Sequence, residues 1–307
     1  MPVATRRPVP GRLPPLQLPD LAGRRIVITG ATSGIGLESA IALAQARAAL
    51  VLGVRDVAKG EAAADRIRER VPSARVAVEQ IELGSLASVA DFALRVGSSP
   101  VDVLISNAGL STADASARTE DGFDLQIGVN YLGSFALVAG LWPALVAAQN
   151  PRVVTLGSLM AHRGRIDPDF GRPRKSTYRS YSDSKLGQVV LAMELRRRSR
   201  ASGTGVEAVA AHPGWSQTAI FDTAGPPAVV ETIGNFIGAL QSPADGAQPV
   251  LLAATAPRPS MYYGPTRWFG AAGPAGPSAL PKGARTAGAA ERLWRLSTEL
   301  TGVEFEP

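Results

Sequence analysis

The chain has 307 residues, 45% of them hydrophobic and 19% charged, enough for a sizeable core in one α/β domain or two small ones. It contains no cysteine and two histidines, His162 and His212, which excludes disulfides, Cys-ligated zinc, iron–sulfur clusters and thiol catalysis, and no metal site is expected. The net charge of +6 resides largely in a tail (Arg6, Arg7, Arg12) and a helix end (Arg196, Arg197, Arg198, Arg200), with no Lys/Arg run interleaved with aromatics, so no nucleic-acid partner is expected.

Residues 1–20 are rich in proline, lack the apolar stretch of a signal peptide, and read as a mobile extension that packs little. No run of about 18 apolar residues offers a membrane span, and a cytoplasmic location is expected. From residue 25 onward, short apolar runs alternate with longer helix-like stretches. Strands are predicted at 25–29, 50–54, 76–81, 101–105, 153–156 and 206–210, with a short seventh at 261–263. Most are near-continuously apolar, as strands buried on both faces of a parallel sheet are. Helices are predicted at 34–47, 56–70, 85–97, 122–148 and 181–202, which gives a single α/β domain with a Rossmann-type doubly wound parallel sheet over residues 21–263. Residues 215–240 carry an apolar helix face (Val229, Val230, Ile233, Phe236, Ile237, Leu240), readable as a substrate lid or as a packing surface. Residues 264–283, rich in Gly, Pro and Ala, read as a loop before a last amphipathic helix at about 285–300.

Three motifs carry chemistry. Between the first strand and first helix stands Thr29-Gly30-Ala31-Thr32-Ser33-Gly34-Ile35-Gly36. Its glycines permit a sharp turn and close approach of a pyrophosphate to free helix N–H groups. The second strand ends in Val54 and then Arg55, where an NAD-selective site usually places a carboxylate; a guanidinium there binds a ribose 2′-phosphate, or simply opens a helix on the surface. Asp56 reads as the N-cap of that helix. Tyr181-Ser182-Asp183-Ser184-Lys185 puts a phenol and an ammonium four residues apart on one helix face. A nearby cation lowers a phenol pKa, so Lys185 is expected to activate Tyr181.

With these residues in place the chain resembles the short-chain dehydrogenase/reductase family over roughly 21–263. The family's Asn-Asn-Ala-Gly appears as Ser106-Asn107-Ala108-Gly109, its catalytic Asn as Asn130 and its Ser as Ser158. Its Tyr and Lys correspond to Tyr181 and Lys185, and its Pro-Gly-x-x-x-Thr to Pro213, Gly214 and Thr218. Gly122 to Asn130, Tyr181 to Leu186, Ala211 to Gly214 and the 23-residue step from Ser158 to Tyr181 are similar to the retinol dehydrogenase/protochlorophyllide reductase-like branch. Glu82 stands where an Asp commonly contacts the adenine, and Ser106, in place of an Asn, is expected to affect strand-end packing.

The resemblance implies hydride transfer between NADP(H), rather than NAD(H), and a carbonyl or alcohol of a small lipophilic molecule. Ser158 would hold the substrate oxygen, Tyr181 serve as general acid or base, Lys185 hold the nicotinamide ribose, and Asn130 seat a proton-relaying water. It implies cofactor contacts at Gly30, Ser33, Gly34, Ile35, Gly36, Arg55, Glu82, Asn107, Ala108, Gly109, Pro213, Gly214 and Thr218, the last at the nicotinamide end. It also suggests a homodimer or homotetramer through the 122–148 and 181–202 helices. A non-catalytic NADP(H) sensor or scaffold on the same fold is the alternative, and the intact Ser158, Tyr181 and Lys185 set speaks against it. A hydrolase built on Ser158 and His212 lacks a Gly-x-Ser-x-Gly elbow, and His212 reads as a buried histidine beside a turn.

Overall fold

A computed structural model describes residues 13–216 and 241–307. Among these, one mixed sheet collects every strand, in the order β3-β2-β1-β4-β5-β6-β7-β8. The strands are β1 (Arg25–Thr29), β2 (Ala49–Val54), β3 (Arg75–Gln80), β4 (Val103–Ser106), β5 (Arg152–Leu156), β6 (Glu207–Ala211), β7 (Tyr262–Arg267) and β8 (Ala272–Pro277). The first seven are parallel; β1 lies between β2 and β4, so the chain reverses its direction of winding beside β1. That switch opens a crevice at the carboxyl ends of the strands, the place where such sheets take ligands. Central strands β4 and β5 are buried almost throughout, as their apolar sequences require, whereas edge strand β3 alternates with exposed positions.

Helices cover both faces. Helix α1 (Gly34–Gln45) is apolar around most of its circumference and sits against β1, with its partner α2 (Val57–Arg70) beside it. Asp56 caps α2 by accepting from Lys59 N at 3.1 Å, and Ser85 likewise caps α3 (Leu86–Val96). The long helix expected at 122–148 is broken into α4 (Leu125–Ile127), a π turn (Gly128–Leu132) and α5 (Gly133–Val146). The span Leu125–Val146 is, contrary to expectation, long and apolar enough to cross a bilayer; most of it is buried in the fold, which accounts for its composition. Helix α6 (Thr177–Ser202) begins four residues earlier than expected because Ser176 caps it through Arg179 N.

Three features depart from the sequence reading. Residues 264–283 are not a loop: β7 runs on to Arg267 and turns back into antiparallel β8, pairing Gly264 with Gly276 and Pro265 with Ala275. Two of the six β8 residues are prolines, tolerated because this is an edge strand whose outer side forms no ladder. A helix α7 (Pro243–Thr255), unread from the sequence, packs on β7 and α1 despite Pro249 inside it. Finally, residues 13–20 do pack. Leu13 N donates to Asp245 at 3.2 Å, Gln248 Nε2 donates to the Pro14 carbonyl at 3.0 Å, and Leu16 and Leu18 lie against the core.

The last helix, α8 (Ala289–Thr301), has one strongly apolar stripe that lies across α5 and α6. Trp294 meets Phe135 edge-on at 5.3 Å, Phe305 stacks near Phe135, Trp142 and Trp294, and Arg198 sits 4.2 Å over the Trp294 ring. Tyr131 and Ser297 share a buried hydrogen bond of 2.7 Å. The chain's own C-terminus thus packs against both α5 and α6.

Candidate active site

The Gly-rich loop leaves β1 at the crevice. Gly30 and Gly34 have φ of +68° and +56°, the left-handed region that favours glycine. A side chain at Gly30 would stand 2.7 Å from Ala108 Cα, and one at Gly36 would stand 2.3 Å from the Gly30 carbonyl oxygen. Ser33, at the N-cap of α1, makes no side-chain cap bond, so its hydroxyl leaves the first N–H groups of a 12-residue helix to a ligand. These features fit a dinucleotide pyrophosphate.

Asn107 and Ala108 form the opposite wall. The Asn107 amide donates to the Thr29 and Gly30 carbonyls at 2.8 and 3.0 Å, so its side chain staples the loop to β4. Thr29 Oγ1 accepts from the backbone N–H groups of Asn107 and Ala108, a supporting role the sequence did not reveal. Ser106 bonds Ser134 at 2.8 Å in the core, as its strand-end position suggested. A side chain at Gly109 would come 3.1 Å from Lys185 Nζ and 3.2 Å from Asn130 Oδ1, so this glycine keeps open the floor on which those two groups meet.

Ser158, at the end of β5, and Tyr181, at the start of α6, come close enough for the Ser158 side chain to favour the phenolate, while Ser158 Oγ also accepts from Met160 N at 3.2 Å. Lys185, one turn along, donates to the Leu156 carbonyl at 3.2 Å, which leaves two of its three N–H donors for other partners. Its Nζ lies 5.8 Å from the Tyr181 ring centre. Burial brings Lys185 down to about 8. The expected lowering of Tyr181 is not found in the ligand-free chain: burial pushes the phenol up to about 12, and the Ser158 hydrogen bond only partly offsets it.

Asn130 sits in the π turn with its polar atoms engaged. Its Oδ1 accepts from Leu110 N at 2.7 Å, and its Nδ2 donates to the Leu110 carbonyl and to Ser184 Oγ. Its carbonyl accepts from Gln188 Nε2 and from Ser134 Oγ. These bonds tie the π turn to α6 and leave Asn130 Oδ1, which accepts one bond, with a lone pair for a further donor. Ser184 and Gln188 were missed, although they sit three residues beyond Tyr181 and Lys185, on the same helix face.

Arg55 and Glu82 meet at the adenosine end. Arg55 Nε lies 3.8 Å from Glu82 Oε2, while Glu82 Oε1 accepts from Gly84 N at 2.8 Å. Pro213 accepts from Ser216 and Gln241, and Gly214, at φ +71°, abuts Ala271 of the β7–β8 turn. Thr218 and the apolar face at 226–240 lie outside the described residues. His212 is buried, bonded to Ser278 at 3.2 Å and lowered to about 4 by burial, which keeps it neutral and structural.

The loop between Ser158 and Tyr181 is clamped by ion pairs. Asp167 holds Arg174 and Arg179 at 2.6 and 2.7 Å, and buried Asp183 accepts from Arg165 N at 2.7 Å. Burial pushes the Asp183 carboxyl up, against Arg174 and Arg179, which favour its charge. Among the described residues no group of three His, Asp or Glu side chains is arranged to hold a metal.

A doubly wound sheet with an open Gly-rich turn and a Ser/Tyr/Lys cluster at its switch point defines a nucleotide-dependent α/β enzyme scaffold. The short chain dehydrogenase family model matches residues 24–227, and the chain belongs to that family. It is 35% identical to polyprenol dehydrogenase of Mus musculus over 95% of this chain and 88% of that one. It is 34% identical to retinol dehydrogenase 13 of Homo sapiens over 92% of this chain and 86% of that one. Both agree with the branch resemblance read from the sequence. Among solved structures, an uncharacterized protein from Mycobacterium Paratuberculosis superimposes with a TM-score of 0.78 at 39% identity, covering 94% of this chain and 97% of that one. A short-chain dehydrogenase from Sphingobium yanoikuyae in complex with NADPH gives 0.59 at 25% identity, covering 75% and 83%.

Proposed function

We propose that this chain is an NADP(H)-dependent oxidoreductase that interconverts a carbonyl and an alcohol on a lipophilic small molecule. The observation that carries the reading is the meeting of the Ser158 hydroxyl and the Tyr181 phenol beside buried Lys185. When bound, the nicotinamide supplies or accepts the hydride. Ser158 donates a hydrogen bond to the substrate oxygen and fixes it against Tyr181. Tyr181 delivers its phenolic proton to that oxygen in reduction and takes it back in oxidation. Lys185, with two N–H donors to spare, holds ribose hydroxyls and favours the phenolate once it forms. The names of the retinol and polyprenol dehydrogenases among its relatives support a lipophilic substrate.

The purified chain with NADPH should reduce lipophilic ketones or aldehydes in a spectrophotometric panel, and NADP⁺ should support the reverse on the matching alcohols. No turnover in either direction across that panel would overturn the reading in favour of a cofactor sensor.

The NADP(H) preference rests on Arg55, which follows the acid-free end of β2 and whose side chain is 76% exposed to an incoming phosphate. Arg55→Asp should weaken NADPH binding by about 10- to 100-fold and leave NADH within about threefold, measured by fluorescence titration. Equal losses for both cofactors would show that Arg55 does not read the 2′-phosphate.

A further inference from the structure

At the turn between β7 and β8 the chain does something costly without an internal return. Trp268 and Phe269 both adopt positive φ, 52° and 53°, a region bulky residues avoid. Neither gains by burial: Trp268 is 56% exposed and Phe269 fully so, the most exposed large apolar side chain among the described residues. The turn itself is held firmly. Ala271 N donates to the Trp268 carbonyl at 3.0 Å, Trp215 N to the Ala271 carbonyl at 2.7 Å, and Gly273 N to Gln241 Oε1 at 3.0 Å. It is therefore a fixed projection that carries two aromatic rings into solvent.

Its location and its charge point to the same partner. A side chain at Gly270, the next residue, would lie 3.2 Å from Leu159, the neighbour of Ser158, so the projection stands at the rim of the substrate site. Phe269 faces outward rather than into that site, fully exposed among the described residues. Between Thr266 and Glu291 the chain carries Arg267, Lys282 and Arg285 and no acidic residue. Arg267, directly before the aromatics, is exposed and makes no ion pair among the described residues, and Arg163 at the end of the turn after Ser158 is exposed too. Aromatic rings beside cations are the composition of a surface that seats in the interfacial region of an anionic bilayer.

We propose that the Trp268–Phe269 turn docks the enzyme on an anionic lipid surface, with the two rings in the headgroup layer, Arg267 against lipid phosphates, and the mouth of the substrate site turned toward the bilayer. Vesicle binding tests this surface without turnover, so its failure is distinct from failure of the hydride reading; only the turnover control below rests on that reading.

The test is co-sedimentation of the full chain with extruded vesicles of phosphatidylcholine alone or with phosphatidylserine added, alongside Trp emission. Wild type should pellet with the mixed vesicles and show a blue shift of its emission. Phe269→Gly, which relieves the backbone and so keeps the fold, should lower the partition coefficient about tenfold. Arg267→Gln should remove about fivefold of the phosphatidylserine-dependent part. Phe269→Gly should keep wild-type turnover on a short water-soluble ketone. Failure of wild type to pellet, equal pelleting by Phe269→Gly, or loss of turnover on the soluble ketone would each overturn the proposal; the last would make the turn part of the substrate site.

Discussion

Tyr181→Phe should lower turnover by about 10²- to 10⁴-fold while leaving NADPH affinity unchanged, the span expected when a positioned general acid or base is removed. The phenol is 8% exposed, and phenylalanine fills the same volume, so the fold has no reason to move. Only the hydroxyl that meets Ser158 is lost. Steady-state rates with NADPH and a separate binding titration check the two halves of this expectation; turnover within tenfold of wild type would remove Tyr181 from the proton-transfer step. A phenol raised to about 12 in the ligand-free chain stays protonated across ordinary working pH. It is thus ready as an acid for reduction, whereas it becomes a base only once ligands favour the phenolate.

The second large effect concerns stability and has the opposite sign from activity. Lys185 is 3% exposed, and burial lowers it from 10.5 to about 8. Between those two values the unfolded chain binds more protons than the folded one, so stability rises with pH across about 8 to 10.5; below that window the charged ammonium costs the fold on the order of 3 kcal/mol. Lys185→Met nearly keeps the volume, removes the buried charge and gives up the bond to Leu156. It should raise the stability of the ligand-free protein at pH 7 by about 2 kcal/mol in urea denaturation, flatten the pH dependence above 8, and abolish most turnover. A variant less stable than wild type at pH 7 would show that the Leu156 bond outweighs the desolvation of the charge.

What the sequence made legible was local. The open turn at Gly30 to Gly36, the i,i+4 pairing of Tyr181 with Lys185, and the doubly buried strands each follow from spacing within a few residues. What it hid depended on distant partners. The composition of β8 (Ala272–Pro277) resembles a loop because glycine and proline are poor strand formers, and only pairing with β7 makes it extended. Helix α7 holds with Pro249 inside it because β7, β6, β5 and α1 pack around it. The π turn at Asn130 carries no local signature; Gln188 and Ser134, 58 and 4 residues away, satisfy the carbonyl it displaces. Arg55 was read from its place after the strand end alone, because nothing at that point in the chain announces Glu82, 27 residues on, as its neighbour.

The two outer strands have a consequence for how the protein behaves in bulk. At one rim β8 offers Pro274 and Pro277, neither of which has an N–H to give. At the other, β3 alternates apolar positions with Arg75 and Glu79. A growing fibre needs a flat rim of regularly spaced donors and acceptors, uninterrupted by charge. Neither rim supplies one, so neither is a ready template for adding a strand.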